Sequence, residues 1–452
     1  MITNRFGRAG AGVSGPELWR NWGRSEQVRP QAVAVPGSIT EVREAIRDAA
    51  GKGMTVKAVG AGHSFTGIAV APGLQLDLTK LTGVVAVDRE RDRVTLLAGT
   101  RLYDLPRLLA PHGLAMPNLG DIDRQSISGA TSTGTHGTGV NLGGISTQIV
   151  GATLVTANGE LLVVDENQNS ELLPAVALGL GALGVLVEVT LQCVPRFVLD
   201  AKEQPEPLEN VVANLDARAH EVDHFEMFWF PGTDVAMTKT NTRLPGNAET
   251  HPLKPVKKWV DDSLIGNGVH QVISSLGAAV PAVVPLINRT ATKVWGDREF
   301  SDISTRVFTT KRTVRFREME YAVPAENLAA AFNDVREMLA SHQGDPAWNI
   351  SFPIEVRWAA ADNLWLSTAS GRPSGYIAVH RYFKEDPTDY FAAVEDIMSK
   401  YQGRPHWGKM HNLDAATLRQ RYPRFDDFVA LRDRLDPERR FANPYLDRVL
   451  GS

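Results

Sequence analysis

The chain has 452 residues, of which 43% are hydrophobic and 22% charged, proportions typical of a soluble globular protein with two domains of ordinary size. Its net charge of −4 excludes the strong positive field that draws proteins to nucleic acid, so no nucleic-acid partner is predicted. The single cysteine excludes an internal disulfide and any metal site built from several cysteines.

The N-terminal half predicts short strands and helices. The first residues, MITNRFGRAGAGVSG, lack the apolar core of a secretory signal, and a cytoplasmic protein is expected. AVAVP and MTVKAVG predict strands on either side of a helix in SITEVREAIRDAAGKG, which Ser38 or Thr40 can cap. VVAVDRERDRVTLLAG predicts a hairpin and TRLYDLPRLLAPHG a short helix. VGATLVTANGELLVV predicts two strands around the turn Asn158-Gly159.

Two glycine-rich loops lie in this half, VGAGHSFTG (59–67) and SGATSTGTHGTGVNLGG (128–144). Such loops expose consecutive backbone N–H groups, which suits a diphosphate. Neither loop matches G-x-G-x-x-G, and G-x-x-x-x-G-K-[ST] does not occur in the chain. Turns between strands are also rich in glycine, so composition alone does not identify a ligand. The region from Ser126 to Gly144 is too polar for a core element, and we expect a loop there.

The second half begins where the composition turns to Pro, Glu and Lys, between Pro195 and Glu209, which predicts a domain boundary. HFEMFWFP, RTVRFREMEYAVP, FPIEVRWAA and GYIAVHRYF predict strands, and helices between them indicate an α+β domain. No apolar run reaches the ~18 residues of a membrane span. The most apolar stretch, residues 269–287, is expected to be buried under the second domain. A peripheral membrane contact by residues 255–300 is the alternative.

Charged and histidine pairs mark the second half. Glu355 and Arg357 in FPIEVRWAA point to one face of a strand, where a solvent-exposed salt bridge is the usual outcome. His380 in AVHRYF shares a face with Tyr382 in the same way. In RPHWGKMH, two histidines five residues apart do not share a helical face, so no metal site is predicted. A metal-dependent hydrolase is a remote alternative, and it would use His380, His406 and His411.

Three motifs together resemble the FAD domain of the vanillyl-alcohol-oxidase flavoprotein superfamily: VGAGHSF, PNLGDIDRQSISGATSTGTHGTG and LGALGVLVEVTL. RPHWGKMH is similar to the aldonolactone and alditol oxidoreductases, and the gulonolactone branch is the most similar. The resemblance implies an α+β, two-domain flavoprotein. An FAD-binding domain of two α+β subdomains would span 15–198, and a substrate (cap) domain with an antiparallel sheet flanked by helices would span 199–409. A helical segment, 410–452, would pack back on the FAD domain.

The resemblance also assigns cofactor contacts. His63 matches a histidine that many relatives bond covalently to the flavin C8α methyl group, whereas a histidine that only hydrogen-bonds within its loop is the alternative. Gly120 matches a position beside the flavin C4a–N5 edge where a small residue admits dioxygen. Asp121 replaces the serine of alditol oxidases. The other implied FAD contacts are Gly60, Ala61, Gly62 and Ser64 at the diphosphate, Ser126, Gly129, Thr133, Gly134, Thr135, His136 and Gly137 on a second side, and Leu186 at the adenine.

The implied activity is oxidation of an aldonolactone similar to L-gulono-1,4-lactone, by hydride transfer from the carbinol carbon to flavin N5, giving an ascorbate-type product. Arg357 would hold the substrate oxygen, and Glu355 would orient Arg357. His380 matches an active-site histidine. Lys409, with a proton affinity lowered by desolvation and by Arg357, would help to accept the hydroxyl proton or stabilise the oxyanion. The acceptor would be O2 or a quinone or cytochrome-type molecule. Alditol oxidation of linear polyols with O2 is the alternative.

Overall fold

The computed structural model describes residues 16–254, 270–294, 296–310 and 314–452. Its helices are α1 (Ile39–Gly51), α2 (Leu105–Leu109), α3 (Ile127–Thr133), α4 (Leu173–Val176), α5 (Leu208–Ala213), α6 (Leu215–Glu221), α7 (His270–Ala279), α8 (Val284–Val294), α9 (Ser304–Phe308), α10 (Leu328–Ser341), α11 (Thr388–Lys400), α12 (Ala415–Arg421), α13 (Phe425–Leu435) and α14 (Pro444–Leu450).

The strands up to the middle of the chain are β1 (Trp19–Arg20), β2 (Gln27–Val28), β3 (Ala32–Ala34), β4 (Val56–Val59), β5 (Leu74–Asp77), β6 (Val84–Asp88), β7 (Arg93–Leu97), β8 (Leu114–Ala115), β9 (Ile149–Val155), β10 (Leu161–Val164), β11 (Val185–Gln192) and β12 (Val194–Pro195). The later strands are β13 (Phe197–Pro207), β14 (His224–Trp229), β15 (Val235–Pro245), β16 (Arg298–Ile303), β17 (Phe316–Pro324), β18 (Ile354–Ala359), β19 (Ser374–Tyr382) and β20 (Arg404–Pro405).

The N-terminal half contains two sheets that share one apolar core. A three-stranded parallel sheet has the order β3-β5-β4, and a five-stranded antiparallel sheet has the order β10-β9-β11-β7-β6. Helix α1 begins as predicted, because the Ser38 side chain accepts a hydrogen bond from the Glu41 backbone. Its buried residues recur at helical spacing and join the core with both sheets.

An eight-stranded sheet forms the second half, in the order β16-β13-β15-β14-β18-β19-β17-β20. Its neighbouring strands run antiparallel. Alternate residues of β14, β17, β18 and β19, such as Met227, Val356 and Ile377, pack against α10 and α11 in a second apolar core. The intervening residues lie on the opposite face of the sheet, which carries charged side chains. This architecture confirms the predicted α+β class.

The C-terminal helices complete the first core rather than the second. Phe425, Phe428, Tyr445 and Leu446 lie in the same buried cluster as α1 and the two N-terminal sheets. The Val56 amide of β4 donates a hydrogen bond of 2.7 Å to the Arg440 carbonyl. The last helices and the N-terminal half thus share one apolar core, although they lie at opposite ends of the sequence.

Two sequence-based expectations differ from the structure, whereas the expected domain boundary stays a prediction. The boundary segment contains the long strand β13, whose Pro205 is tolerated because β16 pairs only with residues 198–203. The expected loop contains α3, capped by Ser126. The apolar run forms α7 and α8 and is not fully buried, since Leu276 is 49% exposed and Leu286 69% exposed.

No helix in the described part of the chain is both long and apolar enough to cross a membrane. The expectation of membrane-surface contact by residues 255–300 falls partly outside the described residues, because residues 255–269 and 295 are not among them.

Candidate active site

A cleft lies beside the glycine-rich loop that follows β4. Its walls come from that loop, from α3, from the segment before β11 and from Phe441 near the C-terminus. Nine of the residues assigned to the cofactor line it: Gly60, Ala61, Gly62, His63, Ser64, Ser126, Gly129, Thr133 and Leu186. The fold therefore brings both glycine-rich loops and the LGALGVL segment to one cleft.

The wall of the cleft needs glycine because side chains would collide there. A Cβ on Gly60 would lie 2.5 Å from Ser126 Oγ, and one on Gly129 would lie 2.9 Å from the same atom. Gly62 has φ +68°, a left-handed conformation that favours glycine. A wall of backbone without side chains allows a dinucleotide diphosphate to approach the N–H groups closely. The residues present thus fit a nucleotide cofactor such as FAD.

His63 lines the cleft and stacks on Trp22, with ring centroids 5.4 Å apart and planes 20° apart. Within the described residues, neither of its ring nitrogens has a hydrogen-bond partner, in contrast to the alternative of a loop-bonded histidine. Burial, and to a smaller extent the charges of Arg101 and Arg124, lowers the pKa of His63 to about 4. The imidazole is therefore neutral at physiological pH.

Six other residues assigned to the cofactor do not line this cleft: Gly120, Asp121, Gly134, Thr135, His136 and Gly137. Gly134 ends α3 with φ +81°, and Thr135 Oγ1 accepts a 3.1 Å hydrogen bond from Gln125, which does line the cleft. A Cβ on Gly137 would lie 2.3 Å from the Leu119 carbonyl oxygen, so its packing requires glycine. The His136 side chain is directed to Glu320 of the second sheet.

Gly120 has a steric reason to be glycine that is independent of oxygen access. A Cβ at this position would lie 2.9 Å from the His136 carbonyl oxygen, closer than real Cβ atoms approach backbone. The absence of a side chain at Gly120 is thus explained by packing. It carries no argument for an oxidase over a dehydrogenase.

The charged face of the eight-stranded sheet, which we define by residues of β14, β15, β17, β18 and β19, meets the two loops that flank α3, through Asp121 before the helix and His136 after it. It consists of Glu226, Lys239, Glu318, Glu320, Glu355, Arg357 and His380. Each carboxylate among them lies within 4 Å of a cation or histidine of the same network. Burial of so many charges is costly unless they are paired, and here they are.

Arg357 is the centre of the first half of this face. Its Nε donates to Glu226 at 2.8 Å, its Nη2 lies 2.7 Å from Asp121 Oδ1, and it contacts Glu355 as well. Arg357 is 7% exposed and Glu355 8%, so the solvent-exposed salt bridge that is usual for such pairs is not formed. Burial alone would lower the pKa of Arg357, but these carboxylates hold it well above its usual value.

Glu355 differs from the other acids of the charged face. Burial raises the pKa of Glu355 to about 7, and neighbouring Asp121 and Glu226 act in the same direction against Arg357. Glu318, by contrast, is also buried, but Lys409 and His380 hold its pKa at about 2. Glu355, unlike Glu318, is thus able to exchange a proton near neutral pH.

Lys409 corrects an expectation drawn from the sequence. Burial by itself lowers the pKa of Lys409, but Glu318 at 2.5 Å and Glu320 at 2.8 Å outweigh burial, and the pKa lies above its usual value. Glu355 raises the pKa of Lys409 further, so the surrounding carboxylates, and not the like charge of Arg357, set its direction. Lys409 therefore remains a cation and does not accept a proton.

Histidines extend the network at both ends. His136 Nε2 lies 3.1 Å from Glu320, and His380 Nε2 lies 3.3 Å from Glu318. The other ring nitrogen of His380 lies 3.0 Å from the Pro353 carbonyl. Each histidine thus contacts one of the glutamates that pair with Lys409. Because Glu320 lies on the eight-stranded sheet, that sheet positions His136.

The three histidines of the hydrolase alternative do not meet. In the described residues, His406 lies near His136 and Glu320, His380 lies near Glu318 and Glu355, and His411 belongs to neither group. His411 Nε2 instead lies 2.9 Å from the Tyr445 hydroxyl. Lys409 already lies between Glu318 and Glu320, and its ammonium occupies the position between the two carboxylates that a metal ion would need.

Sequence reasoning missed four residues of the charged face: Glu226, Lys239, Glu318 and Glu320. The signal for three of them is present, because an acidic residue interrupts an apolar strand in HFEMFWFP and an E-M-E alternation does so in RFREMEYAVP. The same pattern in FPIEVRWAA drew attention to Glu355 and Arg357. No local signal marks Lys239.

Comparisons with known proteins agree with this geometry. Residues 189–449 match the D-arabinono-1,4-lactone oxidase family model, and residues 30–165 match the FAD binding domain model. The chain is 44% identical over 438 residues to the L-gulono-1,4-lactone dehydrogenase of Mycobacterium tuberculosis, covering 96% of this chain and 99% of that protein. It is 35% identical over 441 residues to the L-gulonolactone oxidase of Bos taurus, covering 95% of this chain and 98% of that protein.

Among solved structures, cholesterol oxidase from Brevibacterium sterolicum superposes with a TM-score of 0.80 over 96% of each chain, at 19% identity, a likeness that shows the fold alone. The family match covers more than half of the chain, and the family predicted from the motifs is confirmed. The chain belongs to the D-arabinono-1,4-lactone oxidase family, the aldonolactone oxidoreductases among the FAD-binding flavoproteins of the vanillyl-alcohol-oxidase type.

Proposed function

We propose that this protein oxidises L-gulono-1,4-lactone with FAD as its cofactor and yields an ascorbate-type product. The observation that carries the proposal is the contact of Arg357 with Asp121 at 2.7 Å, which joins the charged face to the loop leading into the cofactor cleft. Full-length similarity to a lactone dehydrogenase and a lactone oxidase supports the substrate class. We also propose the domain limits 15–198 and 199–409, with 410–452 returning to the first domain.

The cleft-lining residues would hold FAD, with the diphosphate at Gly60–Ser64 and the adenine near Leu186. When bound, FAD supplies the two-electron acceptor for a carbinol C–H bond. Gln125 and Ser126 line the cleft and follow Asp121 closely in sequence, so the loop that ends at the charged face also reaches the cofactor. The remaining proposed contacts are Gly120 and residues 134–137. They lie outside the lining of the cleft and would support this loop on the side away from it.

The charged face would bind and orient the lactone. Arg357 and Lys409 are permanent cations, so they are suited to hold substrate oxygens and to stabilise negative charge that develops on the reacting hydroxyl. Glu355 is suited to take the hydroxyl proton, because its pKa of about 7 makes both protonation states accessible. His380 would fix Glu318 beside Lys409, so its role is positional.

We propose further that His63 bonds covalently to the cofactor. The imidazole lines the cleft, is neutral, and has no hydrogen-bond partner among the described residues. Acid precipitation tests the bond, because covalent flavin stays with the precipitated protein and free FAD stays in solution. A His63→Ala variant is the control, and it should release all of its flavin.

One titration tests the activity as a whole. L-gulono-1,4-lactone is added to the purified protein under anaerobic conditions while the visible flavin absorbance is recorded, and air is then admitted. Bleaching by the lactone and not by linear alditols supports the proposal, whereas bleaching by alditols alone would favour alditol oxidation. Rapid recovery of the absorbance in air identifies O2 as acceptor, and slow recovery that a quinone or cytochrome accelerates identifies a dehydrogenase.

A further inference from the structure

The N-terminal segment between β1 and β2, residues 21–26, folds directly over the loop that carries His63. The Trp22 amide donates to the Gly62 carbonyl at 2.7 Å, and Asn21 Nδ2 donates to the Ser64 carbonyl at 2.9 Å. A third bond of 2.7 Å runs from Ser25 Oγ to the Phe65 carbonyl. These bonds fix the backbone on both sides of His63.

The Trp22 ring itself is held in place by other aromatic rings. It forms T-shaped pairs with Phe316, at 5.2 Å between centroids with planes 77° apart, and with Phe65, at 6.2 Å with planes 76° apart. His63 stacks on the indole with planes 20° apart. The orientation of the imidazole is therefore set by a ring that cannot turn freely.

Within the described residues, hydrogen bonds do not add to the stack in holding the imidazole. Neither nitrogen of His63 has a hydrogen-bond partner within the described residues, whereas His136, His224 and His380 each have one. The pKa of His63, about 4 because of burial and then of Arg101 and Arg124, leaves a free lone pair at neutral pH. The stack with Trp22 is thus the main restraint on a nucleophilic ring in the cofactor cleft.

We propose that Trp22 is a positioning residue that presents the His63 imidazole to the flavin 8α carbon, so that the covalent bond forms rapidly. The inference rests on the proposed FAD cofactor and on its attachment through His63. A bond forms between an imidazole nitrogen and the 8α carbon, while one methyl C–H bond and the imidazole N–H bond break. Both hydrogens, with their electrons, remain on the isoalloxazine as the reduced flavin until dioxygen removes them as hydrogen peroxide.

The test follows covalent attachment and not turnover. Wild type, Trp22→Leu and Trp22→Phe are purified and incubated with FAD in air, and the flavin that stays with acid-precipitated protein is measured over time. Total bound FAD and the thermal midpoint are recorded for each. Trp348→Leu is the matched control, because Trp348 stacks on His342 with planes 21° apart, outside the cleft.

At equal bound FAD, Trp22→Leu should attach flavin at least about fivefold more slowly than wild type, because a stacked aromatic pair is lost. Trp22→Phe should restore most of the rate, since it keeps a ring plane, and Trp348→Leu should match wild type. Equal rates for wild type and Trp22→Leu, or a Trp22→Phe variant as slow as Trp22→Leu, would overturn the inference alone. Flavin that leaves the wild-type precipitate entirely would overturn covalent attachment, and this inference with it.

Discussion

At the scale of single residues, the charged face together with Lys409 contains permanent cations and one carboxyl group that can exchange a proton near neutral pH. Arg357 and Lys409 are each held between carboxylates, which raise their pKa values, so neither gives up its proton at working pH. Burial acts on Glu355 in the opposite direction and brings its pKa to about 7. In the proposed function Glu355 therefore takes the role of proton acceptor that the sequence suggested for Lys409.

The planar geometry of the Arg357 guanidinium should matter as much as its charge for flavin reduction. Arg357→Lys keeps a cation but loses the planar set of donors that reaches Glu226 and Asp121, so flavin reduction by the lactone should slow by roughly 10²-fold. Stopped-flow absorbance under anaerobic conditions measures this rate. Arg381→Lys is the control, since Arg381 is equally buried on β19 but bonds the Ala347 carbonyl instead. An unchanged rate in Arg357→Lys would remove Arg357 from the site.

Glu355 predicts a pH dependence. Because its carboxyl group is protonated below about pH 7 and ionised above it, the anaerobic rate of flavin reduction should rise with pH through that value and then level off. Glu355→Gln should lower the rate and abolish the rise. Glu385→Gln is the control, because burial raises the pKa of Glu385 too, but its partner is Arg381. A rise that persists in Glu355→Gln would assign the proton to another group.

At the scale of elements, alternation along four strands predicts much of what is found. Period-two patterns indicated strands at β14, β17, β18 and β19 and placed Glu355 and Arg357 on one side. They did not predict which strands would be neighbours, because the partners are far apart in sequence. Arg357 and Glu226 are 131 positions apart, and His136 and Glu320 are 184. A local pattern indicates that a charged side chain is buried, but it does not indicate which charged group pairs with it.

The two buried glutamates of the E-M-E pattern in β17 lead to a prediction about the free energy of unfolding. Lys409→Met leaves Glu318 and Glu320 buried without their cation, so the free energy of unfolding should fall by about 3–5 kcal/mol. Urea unfolding of the purified protein measures it. Adding Glu318→Gln and Glu320→Gln to Lys409→Met should recover most of the loss, because the uncompensated charges are then gone. Lys400→Met is the control: that ammonium is 65% exposed and should cost about 0–1 kcal/mol.

Over the whole molecule, the C-terminal segment packs against the N-terminal half and contributes to the wall of the cleft. Phe441 lines the cleft and lies in the core that α1 and the N-terminal sheets share. The buried amine of Lys57 reaches the Phe441 and Gly181 carbonyls at 3.3 Å, and so links β4 to the C-terminal segment. The helical end and its return to the first domain were expected from the family resemblance. Its share in the cleft wall was not, because nothing local in RRFANPY marks it.

This arrangement predicts that one C-terminal side chain affects both stability and cofactor binding. Phe441→Ala and Phe428→Ala each empty a site in the same core, where the phenyl rings are 1% and 0% exposed, and each should cost about 3–5 kcal/mol. Only Phe441 lines the cleft, so in a His63→Ala background, where FAD binds without a covalent bond, Phe441→Ala should raise the Kd of FAD about tenfold. Phe428→Ala should leave that Kd within about twofold at a temperature where both variants are folded, since its contacts are remote from the cleft. Equal changes in Kd for the two variants would mean that the C-terminal segment supports the cleft through general stability and not through Phe441.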